Sequence, residues 1–393
     1  MRKEIFLKII ITISTLIVLT NVYFFVFERS LNQYLDWLIN YQGGFVRRGL
    51  VGEFFFQIFK ITSIRLDFIV LFFIFAFYIF FYKNFYEIIK KIKFNFINLL
   101  LIFSPLSFLY PVMEQKVSGR KDVIFLFCLS FLCVYLRKIK FEYQKYLIIF
   151  FSFFSLFSHT GFIFFIPFFL IVFILSNKEQ TFIFILRELI IICLSILFFL
   201  ILILNNTVIK DDSIELICNS ISQFVRDDCA YQGYISTLTW SLERNIILKN
   251  ELWIAENYNF YFLKVFIITF FPLLFIFSFT TLIRYKNINV VLICLLLILL
   301  SFPLFYIGSD YGRYLHIIYL SFLMIYYTAL NNKLIITNTP KIKIFKNLKI
   351  KLYVTYFIIF LYGFTFTVPH CCSNKFKFIY SNLFYNIEKL TNK

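Results

Sequence analysis

Charge is scarce in this chain of 393 residues: Asp, Glu, Lys and Arg together make up 15%, whereas a soluble globular protein carries about a quarter. So little polarity cannot cover a water-facing surface, which excludes a secreted domain and a cytosolic enzyme. Acids are scarcer still, 21 against 39 bases, for a net charge of +18 and a pI near 9.4. In a soluble chain that excess would suggest nucleic acid. Here it falls in short connectors between apolar runs, where positive-inside sorting puts it, and no nucleic-acid partner is expected.

Metal chemistry is thinly represented as well. There are eight cysteines and three histidines, with no Cys-x-x-Cys pair and no His/Cys set at zinc spacing. His370-Cys371-Cys372 is a fragment without a further ligand nearby, so neither a metal nor a cofactor is expected. A phosphate-cradling P-loop and a serine elbow are missing too, as are an internal repeat, a low-complexity linker and a soluble domain. No small-x-small cleavage site follows the apolar stretch 5–27, which therefore reads as a retained first span.

What the chain has is hydrocarbon: 61% hydrophobic residues, 23% aromatic and a mean hydropathy of +0.83. Apolar runs of about twenty residues, each closed by Lys, Arg or Asn, read as membrane spans. The pattern predicts an all-α, polytopic integral membrane helical bundle, a single transmembrane domain over 1–393. With Arg2, Lys3 and Lys8 in the cytoplasm, spans are expected at 5–27, 67–82, 94–112 and 123–136. Further spans follow at 181–204, 262–283, 288–306, 314–330 and 352–369. Parity from the basic connector Lys333–Lys351 places both ends of 146–175 on the cytoplasmic side. That run is therefore expected to be a short broken pair meeting near His159, which makes about eleven crossings. Residues 28–66 become a first outer loop and 205–261 a large outer loop, in which acids outnumber bases. Cys218 and Cys229 in that loop are candidates for a disulfide in an oxidising compartment.

With this topology the unusual polar residues gather on the outer face. The first cluster runs from Asp36-Trp37 through Gln42-Gly43-Gly44-Phe45-Val46-Arg47-Arg48-Gly49-Leu50-Val51-Gly52-Glu53. A helix is expected after the glycines, with Gly49, Gly52, Glu53 and Phe56 sharing a face. The second is the charged turn Glu114–Asp122, with Arg120 and Lys121. His159-Thr160-Gly161 in the broken run is the third. The fourth is Gly308-Ser309-Asp310-Tyr311-Gly312-Arg313, followed by His316. Each has a structural alternative: interfacial snorkelling of the arginines, a solvated hairpin, a satisfied core histidine, and an internal Asp310–Arg313 ion pair.

Convergent Arg and Lys suit a diphosphate, whose oxygens they bind bidentately and whose departure they neutralise. A nearby carboxylate or imidazole can take a proton from an attacking hydroxyl. His159 and Asp310 lead as catalytic candidates, with Asp36 and Glu53 behind them. Arg47, Arg48, Arg120, Lys121 and Arg313 are the candidates for holding the diphosphate.

Gly-Gly-Phe-Val-Arg-Arg-Gly-Leu at 43–50, Gly-Arg-Lys-Asp at 119–122 and Asp-Tyr-Gly-Arg at 310–313, set among short-looped spans and one large outer loop, resemble bacterial surface-polysaccharide membrane proteins. The closest resemblance is to O-antigen polymerases of the Wzy type. It implies polymerisation of polyprenyl-diphosphate-linked oligosaccharide at the periplasmic face of the cytoplasmic (inner) membrane, without a nucleotide sugar. It also implies membrane lipid and a chain-length regulator protein as partners. Such polymerases often carry catalytic arginines in the large outer loop, where this chain has only Arg226 and Arg244. Glycosyltransferases of the GT-C architecture are similar in placing an acid in the first outer loop, which Asp36 or Glu53 supplies. A membrane O-acyltransferase with His159 as base and a flippase of lipid-linked glycans complete the alternatives.

Overall fold

In hydrocarbon every backbone N–H and C=O must find its partner within the chain, so the apolar runs fold as helices. In the computed structural model six helices are long and apolar enough to cross a membrane: Glu4–Phe27, Leu66–Ile89, Phe182–Leu204, Tyr261–Ser278, Val290–Ile307 and Tyr311–Asn331. The chain is an all-α integral membrane protein. Among the described residues, strands pair only in a short antiparallel ribbon, Thr280–Leu282 against Ile335–Thr337. The structure describes residues 2–27, 31–93, 95–177, 179–205, 211–224, 229, 235–255, 258–282, 290–337, 357, 359, 361–364 and 368–371. Most of the expected span 352–369, the basic connector from 338 onward, Arg226 and the tail beyond 371 lie outside these residues.

One expected span takes another form, for an identifiable reason, and two others follow the expectation. The run 94–112 folds as helix Phe96–Ile102, stops before Pro105 and resumes only as Tyr110–Met113. Proline lacks an N–H and disfavours helix in the residue before it. The run 123–136 folds as one helix of the same length, Asp122–Tyr135. Helix Phe141–Ser158 ends at His159, which takes an extended conformation. A tight 3-10 turn, Thr160–Phe165, follows, and helix Ile166–Ser176 then starts with Pro167 in its first turn, where the missing N–H costs nothing. The break in 146–175 thus falls at the His-Thr-Gly sequence.

The chain divides into two interleaved compact units. The first comprises Met1–Ser14, Phe85–Val117 and Leu248–Lys393; the second comprises Thr15–Asn84 and Ser118–Ile247. In the first unit, helix Tyr311–Asn331 is buried along almost its whole length. It supplies the polar groups that the broken 94–112 run needs. Tyr319 Oη donates to the Leu101 carbonyl at 2.9 Å, Tyr327 Oη to the Asn98 carbonyl at 3.4 Å, and His316 Nδ1 lies 2.8 Å from the Leu106 carbonyl. A carbonyl only accepts, so His316 carries its proton on Nδ1. Carbonyls freed by a helix break in an apolar interior are costly unless met in this way.

The second unit is held by phenylalanine. Phe125 packs on Phe162, Phe165 and Phe169 with ring centroids 5.6, 5.6 and 5.0 Å away, closing the broken pair against helix Asp122–Tyr135. Phe153 and Phe157 meet Phe199 at 5.3 and 6.1 Å. Near one end of the same helices, buried Glu188 pairs with Lys145 and Arg187, each at 2.7 Å.

Candidate functional site

The glycine-rich stretch of the first cluster becomes a turn between helix Leu31–Leu38 and helix Leu50–Thr62. The helices approach closely because Gly52 has no side chain: a Cβ there would lie 2.0 Å from the Ile39 carbonyl oxygen. Glu53 closes the turn. Its carboxylate accepts from the Tyr41 backbone N–H at 2.8 Å and from the Gln42 and Gln57 amides. Burial pushes the Glu53 pKa up, but the hydrogen bonds from Gln57, Tyr41 and Gln42, with the charge of Lys60, outweigh it and leave it below the usual value. Glu53 is thereby fixed as an ionised tie within the turn.

The second cluster folds onto the first. Trp37 Nε1 donates to the Gly119 carbonyl at 2.6 Å, and Gly119 sits so close to Phe25 that a Cβ would come within 2.4 Å of the ring. Lys121, with 0% of its surface exposed, donates from Nζ to the Arg48 carbonyl at 3.1 Å and pairs with Asp36 Oδ1 at 3.7 Å. Burial pulls its pKa from 10.5 down to about 8, the Arg48 charge adding to that and Asp36 opposing it. Asp36 is itself buried, and at this distance Oδ1 has a charge partner but no hydrogen bond. Arg48 holds a left-handed backbone, φ 77°, a conformation that favours glycine.

Arg47, Arg48 and Arg120 crowd the same loops. Arg47 donates to the Thr237 carbonyl at 3.1 Å. Burial, then the neighbouring Arg48 charge, pulls its pKa down to about 10. The Nε atoms of Arg47 and Arg48 are buried and meet no hydrogen-bond acceptor among the described residues. Such donors are costly in an apolar setting and are expected to be met by a ligand or water. Other described parts of the large loop pack on this region: Asn40 Nδ2 donates to Ser220 Oγ at 2.9 Å, and Cys218 and Cys229 are joined in a disulfide.

The third cluster lies against the same turn, since Phe45 meets Phe157 edge-on at 5.9 Å, two residues before His159. His159 is half-buried, and its Nδ1 accepts from the Gly161 N–H at 3.1 Å, capping the turn that follows. Neutral His159 therefore carries its proton on Nε2, and its basic nitrogen is already engaged. Asp36, Glu53, Arg47, Arg48, Arg120, Lys121 and His159 all belong to the second unit.

Asp310 and Arg313 belong to the first unit. They form the ion pair that their i, i+3 spacing allows, at the start of helix Tyr311–Asn331. Gly312 N–H donates to the His370 carbonyl at 3.1 Å, and His370 Nδ1 lies 3.5 Å from buried Glu114 Oε1. No sequence signal links Glu114 to His370, which are far apart along the chain. Asp310, His370 and Cys371 bring ligand atoms within 4.8 Å of one another. Cys371, however, is tied up in a disulfide and offers no thiolate. Among the described residues two donors of this group remain, fewer than a protein metal site uses.

Comparison with known proteins returns no match among family models, curated proteins or solved structures.

Proposed function

We propose that this chain transfers a glycosyl group from a polyprenyl-diphosphate carrier, polymerising oligosaccharide repeat units of a bacterial surface polysaccharide. The observation that carries this reading is the buried cationic cluster of the second unit, in which the Arg47 and Arg48 Nε donors find no acceptor among the described residues, beside one carboxylate. A diphosphate supplies the oxygens those donors lack, in the planar geometry that guanidinium groups match.

In the proposed step an acceptor hydroxyl attacks the anomeric carbon, and the bond from that carbon to the phosphate oxygen breaks. The electron pair leaves on the diphosphate, where Arg47, Arg48 and Arg120 stabilise it. Asp36 takes the hydroxyl proton. It suits this role better than Glu53, whose oxygens are occupied by the turn, or His159, whose basic nitrogen caps a backbone N–H. Asp310 and Arg313 largely neutralise each other and enter the proposal as an internal pair.

The proposed setting is the periplasmic face of the bacterial inner membrane, with about eleven crossings, membrane lipid around them and a chain-length regulator protein as partner. The Cys218–Cys229 disulfide supports an oxidising environment for the large loop. One observation favours a second reading: an acid in the first outer loop paired with a buried lysine also suits a GT-C-like transferase using a lipid-phosphate sugar.

The deciding experiment is deletion of the gene with analysis of lipid-linked intermediates. Complete single repeat units on the outer leaflet support the polymerase. Units lacking one sugar support the GT-C-like transferase. Units confined to the cytoplasmic leaflet would identify a flippase and overturn both.

A further inference from the structure

Lys249, on helix Leu242–Ala255, is only 6% exposed. No carboxylate or carbonyl pairs with it among the described residues; its neighbours are aromatic. Its ammonium lies 4.8 Å from the ring centroid of Trp253 and 5.0 Å from that of Tyr306. Trp253 shares its helix face at i, i+4. Desolvation draws the lysine's pKa down, with no charge opposing it. Two ring faces attract an ammonium but accept none of its N–H bonds in full. A buried cation left so is one half of an interaction.

The surroundings say what the other half is. Tyr306 is 57% exposed and stands in the last turn of Val290–Ile307, a helix long enough to span a membrane. Trp253 packs edge-on to Tyr311 at 5.7 Å, the first residue of helix Tyr311–Asn331, whose amino end favours negative charge. Tryptophan and tyrosine at the end of a span mark the depth of lipid head groups. We propose that Lys249, Trp253 and Tyr306 bind the phosphate of a lipid head group, with the rings flanking the contact. That phosphate comes from a bilayer phospholipid or from a polyprenyl phosphate; the site does not depend on the transfer reaction proposed above.

The test is native mass spectrometry of the purified full-length chain in detergent. It is titrated with phosphatidylglycerol, with a short-chain polyprenyl phosphate and with diacylglycerol, which lacks the phosphate. One or both phosphate lipids should bind more tightly than diacylglycerol, and the tighter of the two names the source. Lys249→Met should weaken that binding about tenfold or more, and Lys249→Arg should retain most of it. Tyr306→Ala, which alters an exposed wall, should weaken it several-fold and serves if Lys249→Met folds poorly. Equal binding of all three lipids by wild type, or phosphate-lipid affinity unchanged in both Lys249→Met and Tyr306→Ala, overturns the proposal.

Discussion

Lys121 Nζ lies 3.1 Å from the carbonyl oxygen of Arg48, and this bond joins two turns far apart in sequence. Arg48 sits at φ 77°, where a side chain other than glycine costs roughly 1 kcal/mol. The Arg48–Gly49 peptide is held there by a lysine whose own charge is balanced by Asp36. The three residues form one device: a carboxylate steadies a buried ammonium, and the ammonium fixes the backbone that presents the guanidinium groups.

Removing one member of the device should expose the cost of the other. Lys121→Met leaves Asp36 buried without its counter-charge, worth about 3–5 kcal/mol. Asp36→Asn in the same chain should restore much of that stability. Chemical or thermal unfolding of the two single variants and the double variant gives the coupling energy. Strict additivity would show that the two groups do not support each other.

Arg48 separates stability from activity. Arg48→Gly relaxes the left-handed backbone and should leave the melting temperature unchanged or raise it, by the equivalent of up to about 1 kcal/mol. Activity should fall about thirty- to several-hundred-fold, the effect of losing roughly 2–4 kcal/mol of charge stabilisation in a dry site. Arg48→Lys should fall between wild type and glycine in turnover, because lysine keeps the charge and loses the planar fork. Equal turnover by wild type and Arg48→Gly would remove Arg48 from the substrate site.

The pH dependence follows from Lys121. Its pKa is about 8 in the fold against an ordinary 10.5, so between these values the unfolded chain holds a proton that the folded chain has released. Stability from this group therefore rises with pH from about 8 to about 10.5, and is least below 8, where the fold must keep a desolvated charge. Activity runs the other way, because the cluster loses a positive charge as pH rises through about 8. A pH–rate profile should show an alkaline limb there, moved upward in Lys121→Arg. An unmoved limb would assign it to another group.

The helical class, the break at His159 and the candidacy of Cys218 and Cys229 were legible because each rests on local pattern: run length, a Ser-His-Thr-Gly interruption, and cysteines outside apolar runs. The broken helix at 94–112 was not, although Pro105 and Pro111 were in plain view. Run length alone outweighed them, and the compensating donors Tyr319, Tyr327 and His316 sit more than two hundred residues away. The separate clusters could be named from sequence, but the contacts joining Asp36 to Lys121 and Trp37 to Gly119 are tertiary and leave no periodic trace. The roles of Glu53 and His159 were hidden for the opposite reason. A polar residue beside glycines looks the same in sequence whether it caps a backbone N–H or faces a substrate.

That ambiguity makes the choice of base the sharpest test. Asp36, Glu53 and His159 all lie in the second unit, but their bonds differ in kind. Glu53→Gln keeps a side chain that can still accept from the Tyr41 N–H, so turnover should stay within a few-fold while stability drops by about 1–2 kcal/mol from weakened charge-assisted bonds. His159→Asn can still cap the following turn through its side-chain oxygen and should behave in the same way. Asp36→Asn removes the proposed proton acceptor, so turnover should fall by about a hundred-fold or more, with substrate binding retained because the arginines remain. The measurement is glycosyl transfer by purified variants in liposomes, with kcat and KM separated and folding checked by melting temperature. A large loss of kcat in His159→Asn with near-normal turnover in Asp36→Asn would return the proton to the imidazole. Near-wild-type turnover in all three would place the chemistry away from this cluster altogether.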